Sequence, residues 1–230
     1  MKALLYKEFR LALHPLCYLF IILFPLMALI PSYPLCISFI YVLCAYPILF
    51  LGANKGQQSN DLLFSTLMPV RKKDIVLARL ITVTILQVVF TVLFLCLLPF
   101  GKLIYDSLNQ SALSSGETPP RIPGFSYDAA VSLLSFAFIG FALTDLLFFT
   151  IYYKNGKSIV LSSLLSILTF SVLVIVFTLL LPEISNQYKV FFTNNLGYQF
   201  LFLAISLLMC GLLKFLTYKS SFNLLEKVDF

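Results

Sequence analysis

The stretch Ile75-Val76-Leu77-Ala78-Arg79-Leu80-Ile81-Thr82-Val83-Thr84-Ile85-Leu86-Gln87-Val88-Val89-Phe90-Thr91-Val92-Leu93-Phe94-Leu95-Cys96-Leu97-Leu98-Pro99 carries one charge, Arg79, in an otherwise apolar run. A helix crosses the ~30 Å hydrocarbon core of a bilayer with about 20 such residues. The run 75–99 therefore reads as a membrane-spanning helix, and five similar runs flank it, at 15–31, 35–53, 127–152, 159–181 and 197–217. Composition agrees. Apolar side chains make up 60% of the 230 residues and charged ones only 11%, and the mean hydropathy is +0.97. A soluble domain carries roughly 45–50% apolar and about 25% charged residues, and a chain of this size cannot hide so much apolar surface from water. A soluble enzyme, a nucleic-acid binder and a disordered linker are excluded. The expected fold is an all-α membrane protein, a single domain over 1–230 with six transmembrane helices.

Six spans put both termini on one side, and the basic residues choose which. With the termini inside, 13 of the 16 basic residues fall on inner segments or inner span ends, among them Arg71, Lys72, Lys73, Arg79, Lys154, Lys157 and Lys214. Only Lys102, Arg121 and Lys189 fall outside. The positive-inside rule then sets a multi-pass protein of the plasma membrane with cytoplasmic termini. The first residues do not read as a cleaved signal, because charge continues to Arg10 and no small-residue cleavage site follows. Residues 1–13 read instead as an interfacial helix. Leu5, Phe9, Ala12 and Leu13 share one arc and Lys7 and Arg10 lie opposite, with Lys2 and Glu8 blurring the pattern. Pro31 to Pro34 form a tight outer turn, residues 100–126 read as the largest polar outer loop, and 182–196 as an outer loop or a short re-entrant hairpin.

Several chemistries are removed by inspection. The five cysteines lie in apolar stretches without a CxxC pair, so they are no disulfide framework. His14 is the one histidine and has no partner at zinc-ligand spacing. Gly156-Lys157-Ser158 looks like the end of a phosphate-binding loop, but Ile151 stands where the first glycine belongs. The tripeptide is better read as part of a second inner loop, Tyr153 to Ser158. No serine has a histidine in reach, and no catalytic residue, metal ligand or cofactor-binding residue is expected in this chain.

The longest inner connection is 54–74. Asn60 or Asp61 can cap a helix there, Leu63, Phe64, Leu67 and Met68 recur at helical spacing, and Pro69 ends it before Val70, Arg71, Lys72 and Lys73 lead into the third span. Such a helix can lie on the lipid surface or dock on a soluble partner. The residues alone do not choose between these.

The run Asn60-Asp61 … Ser65-Thr66-Leu67-Met68-Pro69-Val70-Arg71-Lys72-Lys73-Asp74-Ile75-Val76-Leu77-Ala78-Arg79 resembles the inner loop of small ABC-2-type permeases, the membrane subunits of ATP-binding-cassette exporters. The family pattern is an acidic residue, a Leu-Pro-Val/Ile step, a basic cluster, an Ile-Val pair and a basic residue opening the third span. Met68 departs from it, standing where the family more often has leucine. The start Met1-Lys2-Ala3-Leu4-Leu5-Tyr6-Lys7-Glu8 is similar to the family's N-terminal elbow, here 1–14. The resemblance implies that 54–74 holds a coupling helix seated on a cytosolic ABC ATPase present in two copies. Asp61, Leu63, Phe64, Leu67, Pro69, Val70, Arg71, Lys72 and Lys73, with Asn155 and Lys157 of the second inner loop, would form that interface. It further implies a second permease subunit, either the same chain or a relative, in a bacterial cell membrane. ATP and magnesium would sit on the partner subunit, with no nucleic acid involved. The alternative is a non-transporting membrane protein, an immunity factor or assembly anchor, that holds a cytosolic partner by the same loop.

Three intramembrane polar residues stand out: Asp145, Arg79 and Gln87. A lone carboxylate at the centre of a span costs about 2.5–3.5 kcal/mol on insertion scales. Asp145 is therefore expected to pair with Arg79, at a similar level, or to be protonated against a hydroxyl. Gln87 reads as the only other strongly polar side chain well inside a span, which disfavours proton-driven transport. Ser158, Ser162, Ser166 and Thr169 form a hydroxyl stripe on the fifth span, read either as close helix packing or as the lining of a path. Spans rich in Leu and Phe suit lipid-like or amphipathic cargo, a peptide first among them.

Overall fold

The structure is a computed structural model that describes residues 2–9, 21–29, 71–115, 130–155, 161–162, 164–172 and 196–226. All regular structure in these residues is helical. The elements are α1 (Lys2–Lys7), a 3-10 helix over Phe24–Leu29, α2 (Lys72–Ser115), α3 (Ala130–Asn155) and α4 (Leu196–Glu226), with residues 161–162 and 164–172 also helical. Among the described residues three helices are long and apolar enough to cross a membrane, over Lys72–Leu108, Leu134–Lys154 and Gly197–Glu226. They correspond to the expected third, fourth and sixth spans. The fifth is described only in part, the second lies outside the described residues, and of the first only 21–29 are described. There Pro25, which has no backbone N–H to give a helix, stands in the 3-10 turn.

α2 begins at Lys72, three residues before the apolar run 75–99. Asp74 lies in its first turn, a favourable charge at the positive end of the helix dipole, and the Asp74 amide donates to the Arg71 carbonyl at 2.9 Å. Its far end differs from expectation. The helix runs through Pro99 to Ser115 for 44 residues, about 66 Å at 1.5 Å per residue, so residues 100–115 are helix rather than loop. Proline costs one internal hydrogen bond, and the good helix formers beyond it, such as Leu103, Leu108 and Gln110, resume the ladder.

α1 differs as well. Leu4 and Lys7 of α1 and Glu8 just after it are buried, while Tyr6 is exposed. Over these residues the charged side is turned into the protein, the reverse of a helix lying with its charges toward water.

The bundle is organised by apolar stripes at helical spacing. On α2, Val76, Val83, Leu86, Phe90, Phe94 and Leu98 are buried, whereas Ile85, Val88, Val89, Val92 and Leu95 are exposed. On α3, Leu134, Ala137, Phe141, Phe148, Phe149 and Tyr152 join the same core. α3 and α4 form the closest pairing among the described elements. Gln87 meets Asp145 and Arg79 meets Tyr152, so α2 and α3 run antiparallel. Phe136 packs on Phe202 and Asp145 pairs with Lys214, so α3 and α4 run parallel. Residues 156–195 therefore join opposite ends of the bundle. Residue 170 lies along that connection: Phe170 stacks on Phe141 at 6.3 Å, and a Cβ on Gly140 would overlap the Phe170 ring. The missing side chain leaves the space that the Phe170 ring fills.

Candidate functional site

Two polar clusters interrupt the apolar core, and both lie on the buried stripes. The first joins three helices. Asp145 of α3 accepts from Gln87 Nε2 of α2 at 3.0 Å and 3.2 Å on its two carboxylate oxygens. Lys214 Nζ of α4 lies 3.2 Å from Asp145 Oδ2. The same ammonium donates to Gln87 Oε1 at 2.8 Å and to Thr84 Oγ1 at 2.7 Å. Exposure is 1% for the Asp145 side chain and 14% for that of Lys214. Asp145 lies about 15 Å from the Asn155 end of α3 at 1.5 Å per residue, well inside a helix of membrane-spanning length.

The second cluster lies nearer the end of the bundle where α2 begins. Arg79 Nη1 donates to the Tyr152 hydroxyl at 2.7 Å, Arg79 Nε pairs with Glu8 Oε1 at 3.4 Å, and the guanidinium stands 5.6 Å from the centre of the Tyr152 ring. Arg79 is 1% exposed and Glu8 4%. Together these contacts tie α1 to α2 and α3.

These contacts correct the expected pairing of Asp145 with Arg79. In the antiparallel register Asp145 faces Gln87, and Arg79 precedes Gln87 by roughly two turns, about 12 Å along the axis. Each charge has found a partner at its own level: Lys214 for Asp145 and Glu8 for Arg79. They also correct the inventory of intramembrane polar groups, since Lys214 joins Gln87 inside the bundle. The sequence held that signal. Lys214 is the one charge in the apolar run 197–217, and a lysine there has the sign needed to offset Asp145. Glu8 and Tyr152 carried no comparable signal, because nothing local points a residue just after α1 at a residue of the third span.

Six further hydroxyls are satisfied within their own helices, whereas the buried Tyr153 and Ser221 hydroxyls are not. Thr82, Thr91, Ser135, Thr144, Thr150 and Thr217 each donate to the carbonyl four residues before, which lets small polar residues sit in an apolar bundle at little cost. Ser162 and Ser166 are buried on the face that also carries Phe170. The Thr169 hydroxyl donates to Leu165 O at 2.8 Å. Ser158 lies outside the described residues.

Of the residues expected to meet an ATPase, Asp61, Leu63, Phe64, Leu67, Pro69, Val70 and Lys157 lie outside the described residues. Arg71 is exposed, and Lys72 and Lys73 are half-buried at the start of α2. Lys72 Nζ reaches the Leu225 carbonyl at 3.5 Å, a cation at the carbonyl-rich end of α4, where the helix dipole favours it. Asn155 closes α3 at the same end. Arg71, Lys72, Lys73, Arg79, Lys154 and Lys219 thus gather toward one end of the bundle, and Lys102 lies toward the other. Among the described residues no cluster of three or more His, Cys, Asp or Glu side chains could hold a metal.

Comparison with known proteins finds no matching family, no matching curated protein and no matching solved structure.

Proposed function

We propose that this chain is the permease subunit of an ABC-type exporter, an all-α bundle of six spans that moves an amphipathic substrate, a peptide first among candidates, out of a bacterial cell. The observation that carries this reading is the segment 60–79, an amphipathic stretch stopped by Pro69 and followed by Arg71 to Lys73 at the mouth of α2. A cytosolic ATPase seated on that segment pushes on the start of a helix about 66 Å long. Three features support the reading. Basic residues collect at one end of the bundle. α3 and α4 run parallel, which fits a returning span between them. The polar clusters tie the helix that receives the push to α1, α3 and α4, so a displacement of α2 is passed on rather than absorbed, as a two-state bundle requires.

The test is retention of an ATPase. Purified in mild detergent, the wild-type protein should carry a nucleotide-binding subunit whose hydrolysis responds to this chain. Phe64→Ala/Leu67→Ala should weaken that retention at least tenfold, because side chains of this size are each worth ~1.5–3 kcal/mol when fully buried. Membrane insertion should be unchanged. A wild-type protein that brings down no nucleotide-binding partner refutes the exporter and leaves the non-transporting anchor.

A further inference from the structure

The geometry points to a binding site for a primary ammonium group, built by Thr84, Gln87 and Asp145 and filled by the protein's own Lys214. Three oxygens surround Nζ, at 2.7 Å from Thr84, 2.8 Å from Gln87 and 3.2 Å from Asp145. An alkylammonium has three N–H donors and no acceptor, so donors and acceptors match in number.

Each acceptor is held in its role by other bonds. Thr84 spends its hydroxyl proton on the Leu80 carbonyl at 2.7 Å, which leaves only lone pairs for Lys214. Gln87 directs its NH2 at both Asp145 oxygens, which turns its carbonyl oxygen toward the ammonium. Asp145 supplies the compensating charge. A quaternary ammonium could use that charge but none of the hydrogen bonds.

The three oxygens come from α2 and α3, whereas the cation comes from α4. The apolar window of α4 is 17% buried, against 44% for α2 and 56% for α3. Lys214 is also the more exposed member of the ion pair, at 14% against 1%. The site is therefore furnished by the two more buried of the three helices and filled from the least buried one, by a flexible four-carbon stem. When that stem withdraws, the oxygens remain for another primary amine. The site stands independently of the export reading. If both hold, a peptide's amino terminus or lysine side chain is the cargo group that can take the place of Lys214.

The experiment uses Lys214→Ala protein in lipid nanodiscs, melted in butylammonium chloride and in tetramethylammonium chloride at equal ionic strength. The two cations share a charge and differ in N–H donors. Butylammonium alone should raise the Tm, by roughly 3–6 °C at ten times its dissociation constant. Wild-type protein, with its site filled, should not respond, and neither should Asp145→Asn/Lys214→Ala. Equal shifts in the two salts, or a sodium chloride shift matching that of the amine, overturn the proposal. If Lys214→Ala accumulates only when extracted in butylammonium, the site is supported. If it accumulates in neither salt while Asp145→Asn/Lys214→Ala does, the site is refuted.

Discussion

The register of α2 against α3 predicts which charges are coupled, and double-mutant cycles can read it. Glu8 and Arg79 are 5% and 1% exposed in their side chains and 3.4 Å apart. Removing one partner of such a pair costs about 3–5 kcal/mol, because the other charge stays buried without its counter-ion. Arg79→Met should lower the Tm by roughly 6–20 °C, at about 2–4 °C per kcal/mol for a chain of this size. Adding Glu8→Gln should restore part of the loss, a coupling of about 2–3 kcal/mol. Lys214→Met and Asp145→Asn should show the same pattern at the lower end of the range, since Lys214 keeps 14% of its side chain exposed. Arg79→Met with Asp145→Asn should be additive to within about 0.5 kcal/mol, as groups separated by about 12 Å along the axis usually are. The chain has no tryptophan and five cysteines, so a thiol-reactive fluorophore that reports cysteine exposure on heating is the suitable probe. Strong coupling between Arg79 and Asp145, with additivity inside the other two pairs, would refute the register.

Two further outcomes follow from packing and charge. Gly140→Leu should destabilise the protein by about 1–3 kcal/mol, the usual cost of overpacking, because the buried Phe170 ring occupies the space beside Gly140. Thermal unfolding checks it, and Gly140→Leu with Phe170→Ala should recover part of the loss; a neutral Gly140→Leu would put Phe170 elsewhere. In a background without native cysteines, an impermeant thiol reagent should label Gly116→Cys in intact cells and miss Gln57→Cys and Asn223→Cys. Labelling of Gln57→Cys would reverse the orientation and remove the ATPase argument.

Hydropathy and charge determined more of this protein than any motif did. Runs such as 75–99 and 197–217 specify membrane-length helices because a bilayer has no water to satisfy a backbone, so an apolar run of sufficient length has one stable conformation there. The start of the run 75–99 lies within three residues of the observed start of α2 at Lys72. The extension of α2 to Ser115 was not legible, because Pro99 reads as a stop although a helix can bridge it and the good helix formers beyond it resume the ladder. The partners of the buried charges belonged wholly to tertiary structure. Asp145 was visible as a buried carboxylate that needs an offset, and both Arg79 and Lys214 could supply one by sign. The axial register of three helices decided between them, since at hydrogen-bond range an offset of two turns is the difference between an ion pair and none. Glu8 became the partner of Arg79 for the same reason: α1 packs against the start of α2, a placement that no period or propensity in its own few residues encodes.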